Sequence, residues 1–457
     1  HKNLSVGSQW GSRLPPGATA FPGGVKMAVS GVARPKTNLR WLIALLLGFG
    51  ILINYIDRVG LSVAQDPLHT EFGIGPAEFG ILSGTFFWVY ALSQIPIGLI
   101  LDRFGVVLIG RIGAFLWGIA ALATALAPNF LFLNFARAFL GIAEAPAFPA
   151  NAKATSYWFP SNERGLATAI FDAAAKASNV VAVPLVAFIV TLYGWRAAFI
   201  ATAALSFVYF ILFVVFYRNP SEDKRLAAEE RAYITAGGAQ PEGLATAGNA
   251  GVGLRYLLSQ RKIWGLTIGF SAYGYLFGLL ITWLPGYLKS TFHTSLIGAA
   301  GYAAIPWFVA TIADLVIGGW LVDTLISRGY EPTKVRKTIL VAGMVLGLAI
   351  IGAAFTTDIH VAIIYVSIAL GGVAFHAPVG WSIPGLIAPR GSVGTIGGVM
   401  NAFNNLANFA APVATGFIVQ QTGSFVLALA SAGVMLVIGI VSYVFVLGKI
   451  EPIPDPA

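Results

Sequence analysis

The sequence predicts an all-α membrane protein: twelve transmembrane helices arranged as two pseudo-symmetric six-helix bundles. Three observations carry this. Of 457 residues, 57% are hydrophobic and only 10% charged, with a mean hydropathy of +0.78, whereas soluble domains carry roughly a quarter charged residues. Apolar stretches of about 20 residues, the length that crosses hydrocarbon as a helix, recur along most of the chain. The longest polar interval, 218–262, divides those stretches six and six.

Taken in order, residues 1–40 contain no acid and read as a disordered basic tail, with Met27 the better native start and residues 1–26 an added or extended leader. The run 41–53 has the length of a signal-peptide core. No small-residue cleavage site follows it, so it reads as a retained helix. The first bundle, 41–217, contains spans 41–64, 77–101, 105–126, 130–152, 165–192 and 195–217. A polar linker covers 218–262. The second bundle, 263–447, contains spans 263–288, 296–322, 338–356, 359–385, 393–419 and 423–447, and a short tail, 448–457, closes the chain. Several spans are interrupted by Gly and Pro, which neighbouring helices tolerate by re-satisfying the freed backbone groups.

The formal charge of +9 reflects topology rather than nucleic-acid affinity. Of the 28 lysines and arginines, Arg58, Arg137 and Lys176 fall inside spans and Arg196 and Lys289 on one side; all the others fall on the opposite side, with both termini. Positive charge marks the cytoplasmic face, so the expected location is the inner (plasma) membrane, multi-pass, with both termini cytoplasmic. The absence of cysteine excludes thiol nucleophiles, disulfide frameworks and Cys-based metal sites, and the five histidines show no metal-binding spacing. No enzyme, metal or nucleic-acid partner is expected.

The two halves echo each other. Gly98-Leu-Ile-Leu-Asp102 after span 2 reappears as Gly319-Trp-Leu-Val-Asp323 after span 8, and GIAEAP at 141–146 resembles GVAFHAP at 372–378. Repeated six-helix halves, with a binding site between them near the midplane, are the pattern of many secondary transporters.

Charges inside the membrane point to function, because each costs about 2.5–3.5 kcal/mol at a helix centre. They are Asp57 and Arg58 in span 1, Arg137 and Glu144 in span 4, Asp172 and Lys176 in span 5, and Asp314 in span 8. Arg137 and Glu144, two turns apart, share a face but lie too far apart for a direct intrahelical bridge. Desolvation of such a carboxyl favours proton binding. Asp57 and Arg58 diverge by about 100° around their helix, and Arg58 has the fork geometry that grips a carboxylate. Its other reading is a cation snorkelling to the headgroups. Asp172 and Lys176, at i and i+4, form either a self-neutralising pair or part of a substrate site. Asp314 and His376 read as structural. Tyr55, Tyr90, Trp381 and Asn401 are candidates for a polar midplane pocket, although interfacial placement is the default for a single Trp or Tyr.

Gly98-x-x-x-Asp102-Arg103-x-Gly105, with its degenerate second copy at Asp323, resembles the loop between spans 2 and 3 of the major facilitator superfamily. NYIDRVGLS (54–62), EAPAFPAN (144–151) and WFPSNERGLATAIF (158–171) are similar to the anion:cation symporter family, especially bacterial carriers of galactonate, glucarate and hexuronates. The resemblance implies that Gly98, Asp102, Arg103, Gly105 and Asp323 form a conformational latch, with Val106 and Val107 standing where basic residues are usual. It implies that Arg58 binds the substrate carboxylate, that Asp57 and Glu144 are the protonatable pair, and that Arg137 regulates Glu144. Tyr55, Tyr90, Trp381 and Asn401 would line the pocket.

Span 5 departs from the family. It reads FDAAAK (171–176) where sugar-acid carriers typically read FNSAQY, so a pocket glutamine is replaced by Ala175 and Lys176 becomes a further candidate anchor. The expectation is a monomeric, proton-coupled symporter that imports a small organic anion by alternating access, with no cofactor beyond the coupling proton. The alternative is a carrier of aromatic or dicarboxylic acids in the same fold.

Overall fold

The computed structural model describes residues 35–160, 163–240, 242, 253–389 and 392–455; the expected basic tail before Pro35 lies outside these. All regular elements among the described residues are helical. Span 1 is Leu39–Val63, followed by a short helix, Gln65–Phe72. Spans 2 and 3 form one continuous helical run, Pro76–Ala125, broken at Gly105. Span 4 is split into Phe130–Glu144 and Ala147–Trp158. Span 5 is Arg164–Tyr193 and span 6 is Trp195–Phe216.

The polar interval carries the short helices Ala228–Ala236 and Leu254–Ser259. Span 7 is Arg261–Phe292. Span 8 begins as Leu296–Ala313, widens into a π-helix at Asp314–Leu321 and ends as Val322–Ser327. Span 9 is Pro332–Gly347 with Ile350–Phe355, and span 10 is Ile359–Ser382. Span 11 is Val393–Thr422, and span 12 is Val426–Val441 with a π turn at Ser442–Val446.

Local chemistry sets the boundaries. Asn129 Oδ1 accepts from Phe132 N–H at 2.9 Å, Ser295 Oγ from Gly298 N–H at 3.1 Å and Asp358 Oδ1 from His360 N–H at 2.7 Å, capping spans 4, 8 and 10. Gly105 (φ 77°, ψ 170°) adopts a conformation essentially closed to other residues, which separates spans 2 and 3. The break in span 4 falls at Ala145-Pro146, where proline lacks an N–H to continue the ladder.

The helices overrun several expected limits, span 4 by six residues, because their polar ends project beyond the apolar stretch. Among the described residues, ten helices are long and apolar enough to cross a membrane. The 76–104 segment and Val393–Thr422 are not among them. The latter carries Asn401, Asn404, Asn405 and Asn408 and is turned inward. Leu131, Phe135, Phe308 and Phe445, by contrast, are exposed on the outside, an apolar surface suited to lipid.

The bundle has a proximal end, shared by Leu39 and Lys449, and a distal end. The distal ends of the halves are closed on each other. Asp66 pairs with Lys289, Ala77 N–H donates to Gln420 Oε1 at 2.9 Å, and the Phe79 and Trp283 rings meet edge-on at 5.1 Å. Spans 2 and 11 interlock through glycines: Gly80 faces the Pro412 carbonyl, Gly84 faces Val413 and Gly416 faces the Pro76 carbonyl.

At the proximal end, the connecting segments stay with one half each. Arg40 bridges Glu163 (2.7 Å) and Glu230 (2.9 Å), fastening helix Ala228–Ala236 to the first half. Lys262 pairs with Glu451, and Ile453 N–H donates to the Ile387 carbonyl, fastening the tail to the second half.

Candidate substrate and coupling site

Span 1 divides its two adjacent charges as helical geometry requires. Arg58 points to span 4, where its Nε donates to Glu144 Oε2 at 3.0 Å; both side chains are buried, at 8% and 0% exposure. The guanidinium also lies over Tyr55 (4.6 Å), Phe86 (4.9 Å) and Tyr90 (5.0 Å). These ring faces give a cation about 0.5–2 kcal/mol each where it is desolvated. Arg58 Nη2 and Glu144 Oε1 have no hydrogen-bond partner among the described residues. The Nε–Oε2 bond therefore leaves the Nη2 nitrogen free to donate and the Oε1 oxygen free to accept.

Asp57 turns the other way, into spans 3 and 6. Its Oδ2 accepts from Trp117 Nε1 at 2.5 Å and from Ser206 Oγ at 3.3 Å, while Oδ1 is unpartnered. A cavity of about 30 Å³, lined by Gly50, Trp117, Asn151 and Tyr209 among others, adjoins this contact. Arg137 donates from Nη1 to the Asp57 carbonyl at 3.4 Å and stacks its guanidinium on Phe86 at 5.3 Å. In this conformation Glu144 is bonded to Arg58, and Arg137 grips the span 1 backbone instead. A cavity of about 10 Å³, with Arg58, Ser83, Arg137 and Thr282 in its wall, lies between the halves.

The third cluster joins the halves. Lys176 Nζ donates to Asp172 Oδ2 at 2.8 Å and to Asp314 Oδ2 at 3.0 Å. Tyr55 lies within electrostatic reach of both this cluster and the Arg58–Glu144 pair. Tyr90 is buried and stacks on Phe86 at 5.7 Å. Trp381 is 46% exposed, edge-on to Phe270 at 5.3 Å, and Asn401 accepts from Asn405 Nδ2 at 3.1 Å; these partners all lie in the second half. His376 is buried between Phe270 and Tyr273, and its Nε2 meets the Tyr443 hydroxyl at 2.7 Å.

Of the expected latch, Gly98 borders open space, Gly105 forms the break between spans 2 and 3, and the Arg103 guanidinium lies over Phe104 at 5.3 Å. The side chains of Asp102 and Asp323 lie outside the described residues.

Sequence reasoning missed Trp117 and Ser206, because nothing local marks an indole or hydroxyl as the partner of a carboxylate 60 or 149 residues away. It also missed Asn54, fully buried with both amide atoms unpartnered one turn before Arg58. A buried asparagine beside two span charges was the available signal.

Comparison with known proteins gives one answer. The family pattern for the Major Facilitator Superfamily matches residues 47–412. The "Uncharacterized transporter YybO" of Bacillus subtilis (strain 168) is 42% identical, covering 93% of this chain and 98% of that protein. The "Probable galactarate/D-glucarate transporter GarP" of Escherichia coli (strain K12) is 32% identical, covering 91% and 96%. A crystal structure of a bacterial homologue of the human lysosomal transporter Spinster, inward-facing and unoccupied, superposes with a TM-score of 0.68 at 20% identity, covering 90% of this chain and 95% of that one. With its helices, its buried central charges and these matches in agreement, the chain belongs to the Major Facilitator Superfamily and is a membrane transporter, not an enzyme.

Proposed function

We propose that this transporter is a proton-coupled symporter that imports a small organic anion, a sugar acid such as galactonate, glucarate or a hexuronate, across the inner membrane with both termini cytoplasmic. The observation that carries this reading is the buried Arg58–Glu144 pair, with its spare donor and acceptor. A substrate carboxylate and Glu144 compete for the same guanidinium. A proton on Glu144 removes the competitor and releases Arg58 to bind the anion; loss of that proton restores the pair and expels the anion. The distally closed arrangement, with lysine and arginine concentrated at the proximal end, corresponds on this reading to the cytoplasm-open, substrate-free stage.

Asp57, held by Trp117 and Ser206 apart from the anion path, is the second proton acceptor. The sugar-acid relative GarP supports the substrate class. A carrier of aromatic or dicarboxylic acids would use Lys176 as a second anchor, but here Lys176 is already held by two aspartates.

The test is uptake of labelled galactonate and glucarate into proteoliposomes with and without an inward proton gradient. Gradient-stimulated uptake is expected, competed by sugar acids. Glu144→Gln should abolish gradient-driven uptake and spare counterflow exchange. Uptake of either acid that ignores the gradient overturns the coupling, and no uptake of either overturns the substrate class.

A further inference from the structure

The cluster at the interface of spans 5 and 8 is separate from the Arg58–Glu144 and Asp57–Trp117 contacts. It holds two carboxylates against one lysine. Lys176 (6% side-chain exposure) reaches Asp172 on its own helix and Asp314 on the opposite half, at 2.8 and 3.0 Å. The fully ionised cluster therefore carries one uncompensated negative charge in the middle of the bundle. An uncompensated buried charge is resolved in practice by neutralisation rather than by persistence.

Asp314 Oδ1 is buried and has no donor among the described residues. Both carboxylates lie against the same Lys176 nitrogen, each through its Oδ2, which brings them face to face. Two carboxylates facing each other repel; a single shared proton turns the contact into a hydrogen bond. Asp172, at 33% side-chain exposure, is the member of the cluster that is open to its surroundings. Among the described residues, the hydroxyls of Tyr55 from span 1 and Tyr273 from span 7 also lie within electrostatic reach of the cluster, and neither carries a positive charge. Asp314 also opens the π-helical stretch Asp314–Leu321, a geometry that recurs at functional positions.

We propose that Asp172, Lys176 and Asp314 form a proton-binding site of their own, in which Lys176 clamps the halves together when the site is empty and loosens when a proton joins the two carboxyls. Because the clamp spans both halves, occupancy of this site governs the ease with which spans 5 and 8 move past each other. The proposal rests on the proton-coupled reading above and adds a further protonation event to it.

The test needs no substrate. Purified protein in liposomes is subjected to pH titration, and the infrared carbonyl stretch of protonated carboxyl groups is followed. The background is the double variant Asp57→Asn/Glu144→Gln, which removes the carboxyls of the proposed coupling pair. This background is expected to retain a titrating buried-carboxyl band, and adding Asp314→Asn, or separately Asp172→Asn, should remove it. Thermal unfolding of each variant identifies any that fails to fold, and one folded aspartate variant is enough to decide the outcome. A silent background, or a band that survives in a folded aspartate variant, overturns the proposal. Loss of bands between wild type and the background reports on Asp57 and Glu144 instead, so the two readings fail separately.

Discussion

Placing a single methyl group on the glycines where spans 2 and 11 interlock should drive the distal ends of the two halves apart. A Cβ on Gly80 would run into the Pro412 carbonyl oxygen and lie 3.2 Å from Val413 Cα; one on Gly416 would run into the Pro76 carbonyl oxygen and lie 3.1 Å from Ala77 Cα. Both obstacles are backbone, so no side-chain rotation relieves them. Each falls short of ordinary contact by about 1 Å, and overpacking of this kind costs about 1–3 kcal/mol. If only the distally closed state bears that cost, its population relative to the opposite state falls by about 5–150-fold.

The chain contains no cysteine, so one introduced at Ser83, beside the cavity between the halves, gives a clean reporter. A membrane-impermeant thiol reagent applied from the distal side should label it slowly in the parent chain. Labelling should be several-fold faster with Gly80→Ala and faster again with Gly416→Ala added. Unchanged labelling in the folded double variant would refute the argument that backbone contact sets this closure.

Arg58→Lys keeps the charge and loses the fork. With hydrogen bonds to charged groups worth about 1.5–3 kcal/mol, uptake measured at low substrate should fall at least tenfold. At the distal end, burial tends to raise the Glu71 carboxyl, but hydrogen bonds from Arg196 and Trp195 outweigh it and hold the group below its ordinary 4.5. A depressed carboxyl stabilises the fold above its unfolded value and loses that contribution as pH falls through the folded one. The melting-temperature difference between wild type and Glu71→Gln should therefore be constant from neutral pH to about 5 and shrink below 4.5. Gly105→Ala meets no neighbour within 4 Å but must hold φ near 77°. It should lower stability in thermal unfolding by about 1–3 kcal/mol from backbone strain alone.

Much of the architecture was legible because the bilayer imposes a length and a composition on each span, and the polar interval at 218–262 is long enough to stand out. The Asp172–Lys176 pair was legible for a similarly local reason, its i, i+4 spacing. The divergence of Asp57 from Arg58 followed from the helical angle between neighbours. What could not be read was the far partner of each group. Lys176 meets Asp314 across 138 positions, and Arg58 rather than Arg137 holds Glu144 across 86. Choices of that kind depend on how helices rotate against one another in a given conformation. The break at Ala145-Pro146 and the π stretch from Asp314 escaped for another reason: Pro and Gly in a span permit distortion without fixing where it falls.

The bond from Arg137 to the Asp57 carbonyl has a mechanical side. That carbonyl belongs to the peptide unit joining Asp57 to Arg58, so the Arg137 guanidinium is anchored to the one rigid six-atom plane from whose two ends the Asp57 and Arg58 side chains depart. A displacement of that carbonyl therefore moves the points from which the Asp57 and Arg58 side chains depart together, while their side-chain torsions stay free to adjust. Span 1 is thus pinned to span 4 at the very peptide that carries its two charges.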